Sequence, residues 1–150
     1  MITLNRTDSS DKDFIILVSS LDIELAIVDG EEHIFYSQFN KINSIKYVIV
    51  AYSNGIPMGC GAIKDYAPGI MEIKRMFVMP DARKKGIASA VLGELERWAE
   101  ELSAVKCILE TGRRQEDAVR LYTKNSYNPI PNYGQYAGVE NSICFEKKLK

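Results

Sequence analysis

Apolar and polar positions alternate with two different periods along this chain of 150 residues. Over residues 10–40, apolar side chains recur every three or four positions, which is typical of one face of a helix. The pair Asp29-Gly30 interrupts this pattern and predicts that a first helix ends there and a second starts near Glu31. Later runs such as KYVIVAY, residues 46–52, are typical of buried strands. The pattern therefore predicts a chain that mixes helices with strands.

Turn residues separate the predicted strands. Asn54-Gly55 is a strong hairpin signal between residues 46–52 and 56–64, and Ala67-Pro68-Gly69 precedes a strand at 70–78. The same reasoning gives strands at 2–6, 106–110 and 143–148, and helices from Gly86 to about Leu102 and at 115–124. This order predicts an α/β fold, a three-layer α-β-α sandwich around a mixed, mostly antiparallel sheet. No repeat or linker divides the sequence, so we expect residues 1–150 to form one domain.

Composition narrows the classes of protein that fit. The net charge is -1, which argues against a general binder of nucleic acid or anionic membranes. No apolar run approaches the roughly 18–20 residues that span a bilayer, and the N-terminus lacks a signal-peptide pattern. We therefore expect a cytoplasmic protein. Cys60, Cys107 and Cys144 lie far apart within apolar segments, so we expect buried free thiols; with His33 as the one histidine, we expect no metal site.

A basic loop stands at the predicted start of a helix. Arg83, Lys84, Lys85 and Gly86 precede the apolar stripe, although the helix macrodipole favours negative side chains at this end. Such a loop suits an external anion, because glycine lets the backbone approach closely and the first-turn N–H groups are unsatisfied. The P-loop and dinucleotide motifs are both absent. The alternative is a solvated basic loop that ends in a flexible glycine.

Two motifs give the loop a family context. The pattern V-x-P-x-x-[RQ]-x-x-G-x-[GA] stands here as Val78, Pro80, Arg83, Gly86 and Ala88. The pattern A-x-x-L-Y-x-x-x-[GS]-[FY] follows as Ala118, Leu121, Tyr122, Ser126 and Tyr127. Together these motifs resemble those of the GNAT superfamily of acetyl-CoA-dependent N-acetyltransferases, whose fold also fits the predicted element order.

The resemblance implies a binding site for acetyl-CoA without a metal. The backbone of Phe77 and Val78 would bind the pantetheine arm in the manner of an added strand. The diphosphate would contact the loop and the first helical turn, namely Arg83, Lys84, Lys85, Gly86, Ile87, Ala88 and Ser89. Gln115 stands where the family has an asparagine that contacts the pantetheine arm.

The resemblance also implies catalytic roles. Tyr122 matches the general acid that protonates the leaving thiolate. Glu72, eleven positions before Arg83, matches the general base of histone-type members; the alternative is a cross-strand pair with a cation. Glu110, at the end of the next strand, is the second candidate for the base, and ordered water is the third alternative.

The implied activity is direct transfer of an acetyl group to an amine of a small molecule or protein. The alternative is a non-catalytic acyl-CoA-binding or sensing module. We expect acetyl-CoA and the amine as partners, with a homodimer as one conceivable assembly. The acceptor would lie between residues 31–36 and 131–136, where tyrosines could line a pocket and Arg75, Arg113 or Arg114 could hold a carboxylate.

Overall fold

The computed structural model describes residues 1–37 and 45–149, excluding the side chain of Ile34. Its strands are β1 (Ile2–Thr7), β2 (Tyr47–Ser53), β3 (Ile56–Ala67), β4 (Ile70–Val78), β5 (Lys106–Gly112), β6 (Asn128–Ile130) and β7 (Ser142–Lys148). Its helices are α1 (Lys12–Asp29), α2 (His33–Ser37), α3 (Ile87–Glu101) and α4 (Glu116–Lys124). Short 3₁₀ turns occupy Gly30–Glu32, Pro80–Ala82 and Gly134–Tyr136. The predicted helical stretch beyond Ser37 lies outside the described residues.

The strands form one mixed sheet in the order β1-β2-β3-β4-β5-β7-β6. Every neighbouring pair is antiparallel except β4 and β5, which are parallel. This arrangement confirms the predicted mixed, mostly antiparallel sheet. Strand β6 was not predicted, because three residues are too few to show alternation and Pro129 sits at its centre. A proline is tolerated there because β6 is an edge strand.

Helices cover both faces of the sheet. Along β2, Val48 and Val50 pack toward α1, whereas Ile49 and Ala51 pack toward α3. Helix α1 contributes Phe14, Leu17, Val18 and Leu21 to one core, and α3 contributes Val91, Leu92, Leu95 and Ala99 to the other. The period-two alternation of the strand thus separates two apolar cores. The three-layer sandwich is confirmed.

Helix α1 has an identifiable start and end. The Asp11 carboxylate accepts a hydrogen bond from the Phe14 N–H at 3.0 Å and so caps the first turn. At the other end Gly30 adopts a positive φ of 57°, which breaks the helix where the Asp-Gly pair predicted. These two signals fix α1 across the sheet and bring its C-terminal end toward β4 and β5.

Strands β4 and β5 pair over a short distance and then separate. The ladder joins Ile70–Glu72 to residues 106–108 and does not continue along the rest of β4. A bulge bends the open part of β4: two residues, Arg75 and Met76, oppose the single Gly61 of β3. Arg75 takes a left-handed φ of 57° at this bulge. The separation opens a gap in the middle of the sheet.

Three further features concern the described residues. Within residues 1–37 and 45–149, no helix combines the length and apolar character needed to span a bilayer. No group of three or more histidine, cysteine or acidic side chains in that part of the chain could hold a metal ion. Cys60, Cys107 and Cys144 are buried free thiols, as predicted.

Candidate active site

A cleft of about 980 Å³ lies at the gap between β4 and β5. The second half of β4, the start of α3, most of α4 and the end of α1 form its walls. Ten of the twelve residues predicted for the site line it: Phe77, Val78, Arg83, Lys84, Gly86, Ile87, Ala88, Ser89, Gln115 and Tyr122. Lys85 and Glu72 are not among the lining residues.

The basic loop has the geometry of an anion site. Lys84 and Gly86 adopt left-handed φ values of 65° and 83°, and α3 begins directly afterwards. The first backbone bond of α3 joins the Ala90 N–H to the Gly86 carbonyl at 3.0 Å, so the earlier N–H groups of this turn need other partners. No acidic side chain occupies the first turn, and a Cβ on Gly86 would meet no atom within 4 Å. The loop therefore fits a diphosphate next to its backbone.

Arg83 points away from the loop and back onto the sheet. Its Nε donates to the Val78 carbonyl at 2.9 Å, and a second guanidinium nitrogen donates to Glu24 at 2.6 Å. The guanidinium also lies 5.6 Å from the centre of the Phe77 ring. Arg83 thus ties α1 to the end of β4. The Arg83 guanidinium forms an ion pair with Glu24, and the Val78 carbonyl already accepts a hydrogen bond from Arg83. The predicted contacts of Arg83 and Val78 with the cofactor therefore stay predictions.

The open part of β4 offers backbone groups to a ligand. Beyond Glu72, β4 has no ladder partner on the side of β5, in the described residues. Exposed strand edges bind extended ligands through main-chain hydrogen bonds. This edge runs from the bulge to the basic loop, and Gln115 lines the cleft opposite it at the start of α4.

Glu110 is a partly buried carboxyl group that lines the cleft from β5. Burial raises its pKa to about 7, while a hydrogen bond from Ser142 Oγ at 2.8 Å and the charge of Lys74 act in the opposite direction. Lys74 lines the same cleft from β4, and burial lowers the pKa of its amine. Carboxyl and amine groups with such shifts are suited to proton transfer near neutral pH.

Glu72 is buried in a different environment. Its carboxylate accepts a hydrogen bond from the Tyr133 hydroxyl at 2.6 Å, and the Tyr133 ring packs edge-on against Tyr66. Lys64 is its cross-strand neighbour in β3, but no ion pair forms between the two among the described residues. No sequence pattern predicts the contact with Tyr133, which lies 61 positions further along the chain.

Tyr122 lines the cleft from α4 and is otherwise enclosed. Its ring packs against Tyr127 and Phe145, with centroids 5.8 Å and 6.1 Å away. Burial, followed by the negative charge of Glu110, raises the pKa of its phenol above the ordinary value. The hydroxyl therefore keeps its proton at neutral pH, as a proton donor must.

Some of the residues predicted to bind the acceptor line the cleft, and others do not. Tyr36, Tyr136, Arg75 and Arg114 line it, whereas Arg113 donates to the Glu140 carbonyl outside it. Arg75 is buried and pairs with Asp22, and Arg114 pairs with Glu32. These two arginines thus already have carboxylate partners within the chain.

Sequence reasoning missed Lys74 as a cleft residue, and it left Asp29 open between attracting a cationic amine and lying on a solvated helix face. Lys74 follows Glu72 at a spacing of two, which is the available signal that both side chains lie on one face of β4. Asp29 is 2% exposed, lines the cleft, and has one carboxylate oxygen without a hydrogen-bond partner. Nothing in the sequence distinguishes this helix-terminal aspartate from a solvated one.

Comparison with known proteins agrees with this architecture. The model of the Acetyltransferase (GNAT) family matches residues 18–127. The chain is 36% identical over 102 residues to an IAA acetyltransferase of Azospirillum brasilense, covering 67% of each protein. It is 32% identical over 93 residues to the uncharacterised N-acetyltransferase YsnE of Bacillus subtilis, where the match spans 61% of this chain and 62% of that relative.

Solved structures give the same result over the full length. A proposed acyl-CoA N-acyltransferase from Klebsiella pneumoniae shares 26% identity and a TM-score of 0.84, covering 100% of this chain and 99% of the other. PaiA N-acetyltransferase from Thermoplasma acidophilum, solved with coenzyme A, has the same fold at 19% identity, with a TM-score of 0.75 and 99% of each chain covered. The cleft, the loop and these matches agree: the chain belongs to the acetyltransferase (GNAT) family.

Proposed function

We propose that this protein transfers an acetyl group from acetyl-CoA directly to an amine of a small molecule or protein, with Glu110 as general base and Tyr122 as general acid. The observation that carries this proposal is that both groups line one cleft together with the open edge of β4. Each stands on a different strand or helix, so only the fold brings them together.

The cofactor would be held mainly by the backbone. The N–H groups from Lys84 to Ser89 would bind the diphosphate, and the open edge near Phe77 and Val78 would bind the pantetheine arm. Exposed lysine charges such as that of Lys85 are screened by salt and contribute less. When bound, acetyl-CoA supplies an activated thioester carbonyl and a thiolate leaving group.

The acceptor must lose a proton before it can attack. An alkylammonium has a pKa near 10.4, so deprotonating it at pH 7 costs about 4–5 kcal/mol. A base is most effective when its pKa lies near the working pH, and the pKa of Glu110 is about 7. Glu110 is therefore the carboxylate best suited to accept this proton.

Glu72 remains the competing candidate. Its motif position predicts the role of base, but its carboxylate is hydrogen-bonded to Tyr133 and does not line the cleft. We therefore assign Glu72 an indirect part: it orients Tyr133 and adds negative charge near Lys74 and Glu110.

The test is a thiol-release assay with acetyl-CoA and a panel of small amines and peptide amines. We expect Glu110→Gln to lower kcat by roughly 10²–10⁴-fold and to remove the rise in rate with pH near 7, because the amide cannot accept the proton. Glu72→Gln is the matched comparison: a rise in rate with pH should persist, with its midpoint moved to lower pH because a negative charge that raises the pKa of Glu110 is removed.

Two outcomes would contradict the proposal. If Glu72→Gln abolishes turnover while Glu110→Gln retains it, the role of base belongs to Glu72. If calorimetry shows tight coenzyme binding but no amine of the panel causes thiol release, the non-catalytic acyl-CoA-binding module is favoured.

A further inference from the structure

A chain of hydrogen bonds from two other elements ends on Glu110. Asn141 Nδ2 donates to the Tyr36 hydroxyl at 3.3 Å, and the Tyr36 hydroxyl lies 2.9 Å from Ser142 Oγ. Ser142 Oγ in turn donates to Glu110 Oε2 at 2.8 Å. The chain joins α2, the start of β7 and the middle of β5, which are far apart in sequence.

The direction of these bonds follows from the number of protons. Ser142 has one hydroxyl proton, and it is donated to the Glu110 carboxylate. The bond between Ser142 and Tyr36 must therefore use the proton of Tyr36, whose oxygen accepts from Asn141. Every proton in the chain points toward Glu110, which is the arrangement that favours an ionised carboxylate.

The two hydroxyl groups of this hydrogen-bond chain belong to buried residues. Ser142 is fully buried and Tyr36 is 6% exposed. Buried hydroxyl groups need partners, since leaving one unpaired costs free energy. Ser142 Oγ meets this need with Tyr36 on one side and Glu110 on the other, so the position of the carboxylate depends on both hydroxyls.

We propose that Ser142 and Tyr36 are positioning residues that hold the Glu110 carboxylate in its ionised form and couple it to α2. This inference rests on the proposed role of Glu110 as base. Helix α2 forms part of the cleft wall through Tyr36, so the element that borders the acceptor also orients the base.

Several other groups bear on the charge of Glu110. They are Lys74 and Glu72 from β4, Asp29 from α1, Tyr122 from α4, Cys144 from β7, and Tyr136 from the 3₁₀ turn Gly134–Tyr136. The charge of Lys74 lowers the pKa of Glu110, while those of Asp29 and Glu72 raise it. These contributions remain when Ser142 is replaced, so the substitution removes the two hydrogen bonds of Ser142 Oγ and leaves the neighbouring charges in place.

The first test is the pH profile of Ser142→Ala. Without the hydrogen bond the pKa of Glu110 rises, and we expect the acidic limb of kcat to move up by about one pH unit. At pH 7 the rate should fall about fivefold, and it should recover above about pH 9, which is two units above the parent midpoint and one unit above the shifted midpoint. Tyr36→Phe should move the limb in the same direction by a smaller amount.

Cys144→Ala is the matched control. Cys144 lies two positions from Ser142 on β7, is also fully buried, and packs in the cluster that contains Tyr36. Cys144 is the cross-strand neighbour of Glu110, and its substitution removes a similar volume but no hydrogen bond to the Glu110 carboxylate. It also removes no charge at pH 7, because burial raises the pKa of this thiol to about 11. We expect the acidic limb of this variant to stay in place, so that a loss of packing alone is distinguished from the loss of the hydroxyl.

A second measurement does not depend on activity. The Glu110 side-chain carboxyl carbon is followed by ¹³C NMR titration, with its signal assigned from the spectrum of Glu110→Gln. The midpoint should rise in Ser142→Ala, and an unchanged midpoint overturns the inference. If Glu110→Gln still transfers acetyl groups, the assignment of the base is wrong, while the titration still decides whether Ser142 and Tyr36 hold the carboxylate ionised.

Discussion

Glu110 and Tyr122 face one cleft, and burial acts on the two groups in the same direction. Because a desolvated site disfavours charge, it raises the pKa of both the carboxyl group and the phenol. The pKa of the carboxyl group rises toward neutral pH, which suits a general base. The pKa of the phenol is raised further above neutral pH, so the phenol stays protonated. One environment thus separates an acid from a base, as in other sites where two titratable groups take opposite roles.

The phenol gives a residue-scale prediction. Tyr122→Phe should lower kcat about 10–100-fold with little change in the affinity for acetyl-CoA, because the ring packing is kept and only the proton donor is lost. Tyr127→Phe is the control, since its hydroxyl donates to Glu96 and does not line the cleft. The two variants are compared by steady-state kinetics. Full activity of Tyr122→Phe would exclude the Tyr122 hydroxyl from the mechanism.

Short sequence motifs predicted many of the residues that line this cleft, whereas the surroundings of Glu72 and Glu110 depend on residues far away in the sequence. Motif spacing predicted most of the loop and Tyr122 as site residues, and these residues line the cleft from the start of α3 and from α4. The choice between Glu72 and Glu110 depends on Tyr133 and Ser142, which approach from a loop and a strand 61 and 32 positions away. Periodicity carries no information about such contacts.

At the scale of elements, β4 combines a predictable span with an unpredictable bend. The strand was predicted at residues 70–78, and its observed bounds are the same. The bulge was not predicted, because alternation cannot show where one strand gains a residue relative to its neighbour. Gly61, which lies opposite the bulge, is the residue in the sequence that relates to it. A Cβ at this position would collide with the Met76 sulfur and lie 2.9 Å from Val91 Cγ1.

This crowding leads to a stability prediction. Gly61→Ala should destabilise the protein by about 1–3 kcal/mol, since the new methyl group overpacks the core between β3 and α3. Gly93→Ala is the control: it lies within α3, its Cβ would meet its nearest neighbour at 3.8 Å, and alanine favours helix by about 0.5–1 kcal/mol. Urea unfolding curves compare the two, and equal stability of Gly61→Ala and the parent protein would contradict the packing argument.

At the scale of the whole molecule, the sheet consists of two groups of strands joined by a short parallel ladder. Strands β1 to β4 form one group, and β5 to β7 form the other. Helix α3 crosses between them, and the basic loop stands at its start. A cofactor seated in the gap contacts both groups, so its binding should stabilise the entire fold.

Thermal unfolding tests this coupling. Acetyl-CoA at 100 times its Kd should add about 2.7 kcal/mol to the stability and raise Tm accordingly. Gly86→Glu should abolish this shift, because a carboxylate next to the loop repels the diphosphate and fills its space. Gly138→Glu is the control: Gly138 also has a left-handed φ, of 78°, and open space around it, but lies outside the cleft lining. A normal shift in Gly86→Glu would remove the loop from the binding site.

The separation of β4 from β5 also determines the length of the unpaired edge of β4. From the last paired residue, Glu72, the free edge runs six residues to Val78, which is about 20 Å of extended chain. The basic loop lies at one end of this span, and Lys74 and Glu110 flank the other. If the donor is anchored at the basic loop as proposed, it must reach across that distance to bring its carbonyl beside Glu110, the proposed base. Thioesters of short thiols, which lack such an arm, would be anchored at one end or the other but never at both.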